Sequence, residues 1–315
     1  MLFRPSAMAP VLAELASRRI YVGTISWKFS GWCGILYDED RYLWGRHFSE
    51  ARFERECLRE YAAVFKSVTV DATYYRLPRE DFLQKLDEQT PEDFRFTLKV
   101  SDKVTIKNYP DLKQFGEMRG QANPLFLKSG LFKLGFLRHL EVIRPKVGML
   151  LFEFSHFHPR DFAQGRDFIA ALDAFFDEAP EGWQYGVEVR NRNFLHPEYF
   201  EMLRRHGVAH VYNQWTQMPP VTEQLGQLPV RDNSFAAARY LLTPGVSHDH
   251  AEEMLAPYNR LREIDPAARE SFRSILQHLL AQERGESSAP AWLYVGNQLE
   301  GNALHTLADL LEDVV

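Results

Sequence analysis

The chain has 315 residues, of which 45% are hydrophobic, 25% charged and 13% aromatic, a balance that excludes fibrous and disordered classes and suits a folded protein with a sizeable core. Its formal net charge of −6 argues against a wholly basic nucleic-acid binder, while a local basic patch stays open because steering depends on charge distribution. Only Cys33 and Cys57 are present, too few for a disulfide framework and without metal-ligand spacing, so a reduced cytoplasmic setting is expected.

No apolar run approaches the roughly 20 residues that span a bilayer, and no membrane partner is expected. Residues 1–19 carry scattered apolar side chains with Arg4, Arg18 and Arg19 but no compact apolar segment of a leader. They read as an arm or helix preceding a single domain over 20–315.

A first strand is predicted over Ile20 to Ser26, followed by a loop rich in aromatics and glycine, Trp27 to Gly34. Apolar residues at Phe53, Cys57, Leu58, Tyr61 and Val64 or Phe65 have helical spacing. Ser67 to Tyr75 reads as the second strand, Arg79 to Glu88 as a helix closed by Thr90-Pro91, and Phe94 to Val100 as the third strand. The stretch from Ser101 to Arg144 exceeds a plain crossover and contains an apolar helical run over Leu131 to Ile143.

Val147 to Phe154 is the fourth predicted strand and Phe162 to Phe176 its helix. Tyr185 to Asn191 is the fifth, an apolar run that turns charged at Glu188 and Arg190. A helix over Pro197 to His206, stopped by Gly207, precedes a sixth strand at Val208 to Asn213. Beyond the irregular segment Trp215 to Asp232 come strand seven, Ser234 to Leu242, and two helices, Asp249 to Glu263 and Pro266 to Glu283. A solvated loop, Gly285-Glu286-Ser287-Ser288, leads to strand eight, Ala291 to Asn297, and a closing helix, Gly301 to Asp313.

Eight strands separated mainly by helices predict an α/β fold, a single (β/α)8 TIM barrel with enlarged connections after strands three and seven. An open doubly wound sheet is the alternative. A glycine fingerprint opening a helix after strand one is absent, which counts against dinucleotide binding.

Chemistry in such barrels lies at the C-terminal strand ends. Polar residues recur there: Thr24 and Ser26, then Thr69, Asp71 and Thr73, then Thr97 and Lys99, Glu153, Glu188 with Arg190, Asn213, Arg239 and Asn297. Buried charges need partners, so Lys99, Arg190 and Arg239 are expected to balance Asp71, Glu153 and Glu188. A structural network satisfies that demand as well as a catalytic site does.

Glu188, then Glu153 and Asp71, are the candidate acid-base groups, and Lys99, Arg190, Arg239, Asn213 and Asn297 candidate contacts to an anionic, phosphate-bearing substrate in hydrolase-like chemistry. The competing reading is a non-catalytic binding protein for nucleic acid or an anionic metabolite. Trp27, Phe29, Trp32, Tyr74, Tyr75, Phe194 and Trp215 could line a stacking rim, against packing beneath loops. His156 and His158 follow strand four, but no grouped ligand pattern or nucleophile elbow appears, so neither metal nor cofactor is expected.

Gly23-Thr24 with Trp27, Trp32, Gly34 and Tyr37, then Thr73-Tyr74-Tyr75-Arg76-Leu77-Pro78, Lys99, Leu151-Phe152-Glu153, Val187-Glu188-Val189-Arg190, Arg239, and Asn297 with Glu300-Gly301 and Ala303 together resemble the YecE-like family, domain of unknown function 72. The resemblance spans about residues 20–312 and implies a TIM barrel without an established activity. The chain departs from the family pattern at Thr69, Asp71, Ile106, Glu153 and Gly296, and in Tyr240-Leu241-Leu242 after Arg239. Those departures imply an altered substrate or a lost activity.

Overall fold

In the computed structural model, which describes residues 2–285, 287–312 and 314, nine parallel β segments form the wall: β1 (Ile20–Thr24), β2 (Ser67–Val70), β3 (Arg95–Lys99), β4 (Val147–Phe154), β5 (Gln184–Val189), β6 (Ala209–His210), β7 (Tyr212–Gln214), β8 (Ala237–Tyr240) and β9 (Ala291–Val295). Their hydrogen-bonded order is β6-β5-β4-β3-β2-β1-β9-β8-β7. Because only Val211 separates β6 from β7, the sheet returns on itself as a nearly closed barrel. The sixth predicted strand is thus one wall position broken in two. Met1, Glu286 of the expected loop and Asp313 of the expected closing helix lie outside the described residues.

Alternation along each strand sorts side chains into two cores. On β4, Met149 and Leu151 join Tyr21, Ala209, Val211, Ala237, Trp292 and Tyr294 inside the barrel. Leu150, Phe152 and Phe154 face outward into the helical layer. There Phe152 packs on Phe132 and Phe175, and Phe154 on Phe168.

Glycine makes room where the barrel is narrow. A Cβ on Gly23 would stand 2.2 Å from the Ser67 carbonyl oxygen, and one on Gly186 2.9 Å from the Val211 side chain. In the middle of the barrel the Tyr294 hydroxyl bonds the hydroxyls of Ser67 and Thr97 at 2.6 and 2.7 Å.

Several predicted boundaries move. The second strand stops at Val70, and Ala72–Tyr75 is a helical turn in which Thr73 donates to the carbonyls of Val70 and Lys99. Asn297 opens another short helix, Asn297–Glu300, instead of ending a strand. Thr24 faces the helices, its Oγ1 2.9 Å from the Tyr61 hydroxyl, and so leaves the expected polar column.

The connection after β1 is larger than expected, with a two-strand ribbon of Leu43–Trp44 against His47–Phe48 and helices Glu50–Glu56 and Leu58–Val64. The residues preceding β1 form a docked helix, Pro5–Ser17, burying Met8, Leu12 and Leu15. Phe3 beside it stacks on Phe65 and donates its N–H to His305 Nδ1 at 3.0 Å. No helix among the described residues is long and apolar enough to cross a membrane.

Candidate functional site

Inward-facing alternation carries Lys99 to the end of β3, Glu153 to that of β4, Glu188 to that of β5 and Arg239 to that of β8. Arg190 stands just past β5, one inward position beyond Glu188. The β4–β5 register sets Glu153 directly beside Glu188. Two adjacent buried carboxylates repel and lose hydration, so the arrangement stands only with cations between them.

Three cations supply that. Arg239 Nη1 donates to Glu153 Oε2 at 2.7 Å and to Glu188 Oε2. Arg190 sets Nη2 3.0 Å from Glu153 Oε2 and Nε 3.2 Å from Glu188 Oε1. Lys99 Nζ lies 3.1 Å from Glu153 Oε2 and 3.7 Å from Asp71 Oδ1. Every side chain of this group except Asp71 is 12% exposed or less, whereas that of Asp71 is 39% exposed.

The electrostatics follow from the geometry. Burial pushes the Glu153 carboxyl up, but Arg190, Lys99 and Arg239 together hold it well below the usual carboxylate range. Burial disfavours the charged Arg239 guanidinium, and the fields of Glu188, Glu153 and Asp71 more than restore it. Glu153 is therefore an ion with no proton to give. Both oxygens of Glu188 are taken by arginines, and the residue is fully buried.

Aromatic rings cover the cations. The Tyr74 ring centroid is 4.4 Å from Lys99 Nζ, and the Trp215 ring centroid 3.7 Å from the Arg190 guanidinium carbon, contacts that favour a positive charge at a partly dry mouth. Burial holds the Tyr74 hydroxyl in its neutral form by raising its pKa. Tyr75 is 64% exposed and meets Tyr74 edge to face at 5.2 Å.

The other expected aromatics divide. Trp27 is buried, its carbonyl accepting from the Tyr37 hydroxyl. Trp32 and Phe194 are packing residues, Trp32 against Phe29 and Tyr37 and Phe194 against Phe157 and Phe168, so the rim is smaller than expected.

Asn213 and Asn297 are anchored through one side-chain atom and free at the other. Asn213 Nδ2 donates to the carbonyls of Val189 and Val211, and Asn297 Oδ1 accepts from Ala303 N at 2.8 Å. Asn213 Oδ1, Asn297 Nδ2, Thr69 Oγ1, Arg239 Nε and Trp27 Nε1 are buried without a hydrogen-bond partner. Buried polar atoms usually find partners, so these five leave the strand ends with unmet hydrogen-bonding capacity.

At the same end, a cavity of about 190 Å³ is lined by Thr105, Ser155, His156 and Asp161 among others. His156 and His158 meet edge to face at 5.4 Å. Among the described residues, the one grouping with metal-ligand spacing is Asp173, Asp177 and His206, on the helical layer. There Asp173 is already taken by Arg205 and His206 at 3.0 and 2.7 Å.

Sequence patterning did not single out the buried pair outside the barrel, where Arg269 grips Glu300 at 2.7 and 2.8 Å and Glu300 accepts from Asp265 N. Glu300 braces the segment between two helices and has no access to the mouth. It is a reminder that a buried carboxylate can be wholly structural.

The family described as "Protein of unknown function DUF72" matches residues 21–315. UPF0759 protein YecE of Escherichia coli K12 is 26% identical over 182 residues, 58% of this chain and 50% of that protein, and the same protein of Escherichia coli O157:H7 matches equally. The chain therefore spans about half the length of the curated relatives it matches.

Among solved structures, a DUF72 family protein of Thermotoga maritima MSB8 superimposes with a TM-score of 0.58 at 20% identity, covering 94% of this chain and 98% of that one. A DUF72 family protein of Enterococcus faecalis V583 gives 0.58 at 14% identity, covering 94% and 97%. At such identities the likeness concerns the fold.

Proposed function

The chain belongs to the DUF72 family, and from that premise we propose that its barrel mouth binds a small anionic substrate over Lys99, Arg190 and Arg239, with Asp71 as the group that moves the proton. The observation carrying this reading is the charge count. Three buried cations share two buried carboxylates, and the counter-charge to the third is the half-exposed Asp71. An anion entering there competes with the exposed Asp71 for Lys99, the cation whose buried partner it shares with two arginines, in a water-poor setting where such contacts are strong.

The roles within the trio of carboxylates follow from access. Glu188 has both oxygens on arginines and Glu153 gathers three cations on Oε2, so both hold the cations in place; they are positioning residues. Asp71 Oδ1 is buried towards Lys99 without a hydrogen-bond donor while the rest of its side chain reaches solvent, so the carboxylate can take a proton from water or a substrate hydroxyl on its exposed side. That is hydrolase-like chemistry, with Asp71 in the acid-base place that sequence order assigned first to Glu188.

A nucleic acid, the other anion considered, is gripped by exposed cations tracking its backbone. The three cations here are buried, and Lys99 and Arg190 lie against the Tyr74 and Trp215 rings, which favours a small ligand. Turnover screened across phosphate monoesters, phosphodiesters and glycosides, with Asp71→Asn in parallel, tests the reading. Activity on an anionic ester that Asp71→Asn abolishes supports it; a substrate turned over equally by both chains removes Asp71 from the chemistry.

A further inference from the structure

Two segments just past the barrel wall, 105–111 after β3 and 155–161 after β4, enclose the cavity of about 190 Å³ beside the mouth. It is smaller than the roughly 300–1,000 Å³ of sites for drug-sized ligands, so it admits one small moiety. Two acidic residues, Asp111 and Asp161, line it against two basic ones, Lys107 and Arg160, so no excess of charge selects an ion there. Burial and the neighbouring His158 push the His156 imidazole towards its neutral form.

The walls are fixed from behind. Asn191 accepts from Phe157 N at 2.8 Å and donates to the Phe157 carbonyl at 3.0 Å, which clamps the β4 side. Asn123 clamps the β3 side, donating to the carbonyls of Lys103 and Ile106 at 2.9 and 2.6 Å. Asp161 joins the two segments, accepting from the Asn108 side chain and from His158 N. Lys107 Nζ is drawn onto the Phe162 ring, 3.7 Å from its centroid. A hollow braced in this way loses little freedom when a ligand enters.

The groups left over are neutral ones that both donate and accept. The Thr105 hydroxyl is buried without a partner, although a threonine in a helical turn can bond the carbonyl a turn back. Ser155 and His156 add a second hydroxyl and an imidazole to the lining. Such groups match the hydroxyls of a sugar. Ile106 and Phe157 supply an apolar surface for its carbon face.

The hollow also borders the mouth. Ser155 is the next residue after Glu153 on the inward side of the chain, roughly 7 Å further along. Its side chain is within hydrogen-bonding reach of the Tyr74 hydroxyl, and the Tyr74 ring lies on Lys99. Resting on the reading of the mouth as an anion site, we propose that the hollow is its specificity pocket and that the substrate is a sugar phosphate. The phosphate lies over Lys99, and the sugar enters the hollow with its hydroxyls on Thr105 and His156.

Calorimetric titrations of inorganic phosphate and of ribose 5-phosphate into the full chain, Thr105→Val, His156→Ala and Lys99→Gln test this. Ribose 5-phosphate should bind at least about tenfold tighter than inorganic phosphate. That advantage should drop below about threefold in Thr105→Val and in His156→Ala, with phosphate affinity held within about twofold, whereas Lys99→Gln should weaken both probes together. Equal affinity for the two probes, or an advantage untouched in the hollow variants, overturns the sugar pocket and leaves the mouth reading standing. No phosphate binding, or binding indifferent to Lys99→Gln, overturns the mouth reading and the pocket with it. Circular dichroism checks folding, and because His156 is exposed, His156→Ala decides alone if Thr105→Val fails to fold.

Discussion

Glu153 and Glu188 stand side by side across the β4–β5 pairing, and a single nitrogen of Arg239 bridges them. That relationship fixes what each can do. Both carboxylates are spent holding cations, and Arg239 with Arg190 bridges them into the top layer of the barrel.

Replacing Arg239 by Met leaves the two carboxylates buried with only Lys99 and Arg190. Loss of one partner from such a network costs about 3–5 kcal/mol. Urea unfolding should register that loss, whereas Arg166→Met, which breaks the exposed pair with Glu198, should leave the midpoint where it was. Equal midpoints for the two variants would mean the bridge contributes nothing.

Asp71→Asn separates stability from function. Its side chain is 39% exposed and its ion pair with Lys99 is long, so unfolding free energy should change by less than about 1 kcal/mol. Turnover of an anionic substrate should fall about 10²–10⁴-fold. A large stability loss with unchanged turnover would make Asp71 structural.

His210 gives a pH signature unrelated to the mouth. It is buried among Tyr199, Phe200 and Tyr212, and burial pushes its imidazole down to about 4. The unfolded chain takes up this proton near pH 6.5 and the folded chain only near 4. Stability from this group is therefore full above pH 6.5 and drains away between 6.5 and 4, on the order of 3 kcal/mol in all. His210→Gln should flatten that part of a stability-against-pH curve; a curve of unchanged slope would place the histidine's proton elsewhere.

Gly23→Ala tests the closeness of β1 to β2. The added Cβ meets a backbone oxygen at 2.2 Å, which no rotamer change relieves. Overpacking of this kind costs about 1–3 kcal/mol, and thermal unfolding would report it. An unshifted transition would show that the strands can part freely.

Much of this was legible in alternation. Strands such as Val147 to Phe154 are apolar on both faces until the last inward position, so Glu153, Glu188, Lys99 and Arg239 declared themselves as a ring. The turn at Asp71 was not legible, because Ser67 to Tyr75 keeps a strand-like pattern. What ends the strand is Thr73 bonding the carbonyl of Lys99, a residue far along the chain.

Asn297 was misplaced for a similar reason, its side chain serving Ala303 at the start of the last helix. Which carboxylate keeps solvent access depends on Tyr74 and Trp215 settling over the cations, and no spacing encodes that.

The anion site at the mouth is tested most directly by titrating inorganic phosphate into the full chain and into Lys99→Gln. Saturable binding in the first that weakens about tenfold or more in the second is the predicted result. Equal binding in both, or none in either, would contradict an anion site over Lys99.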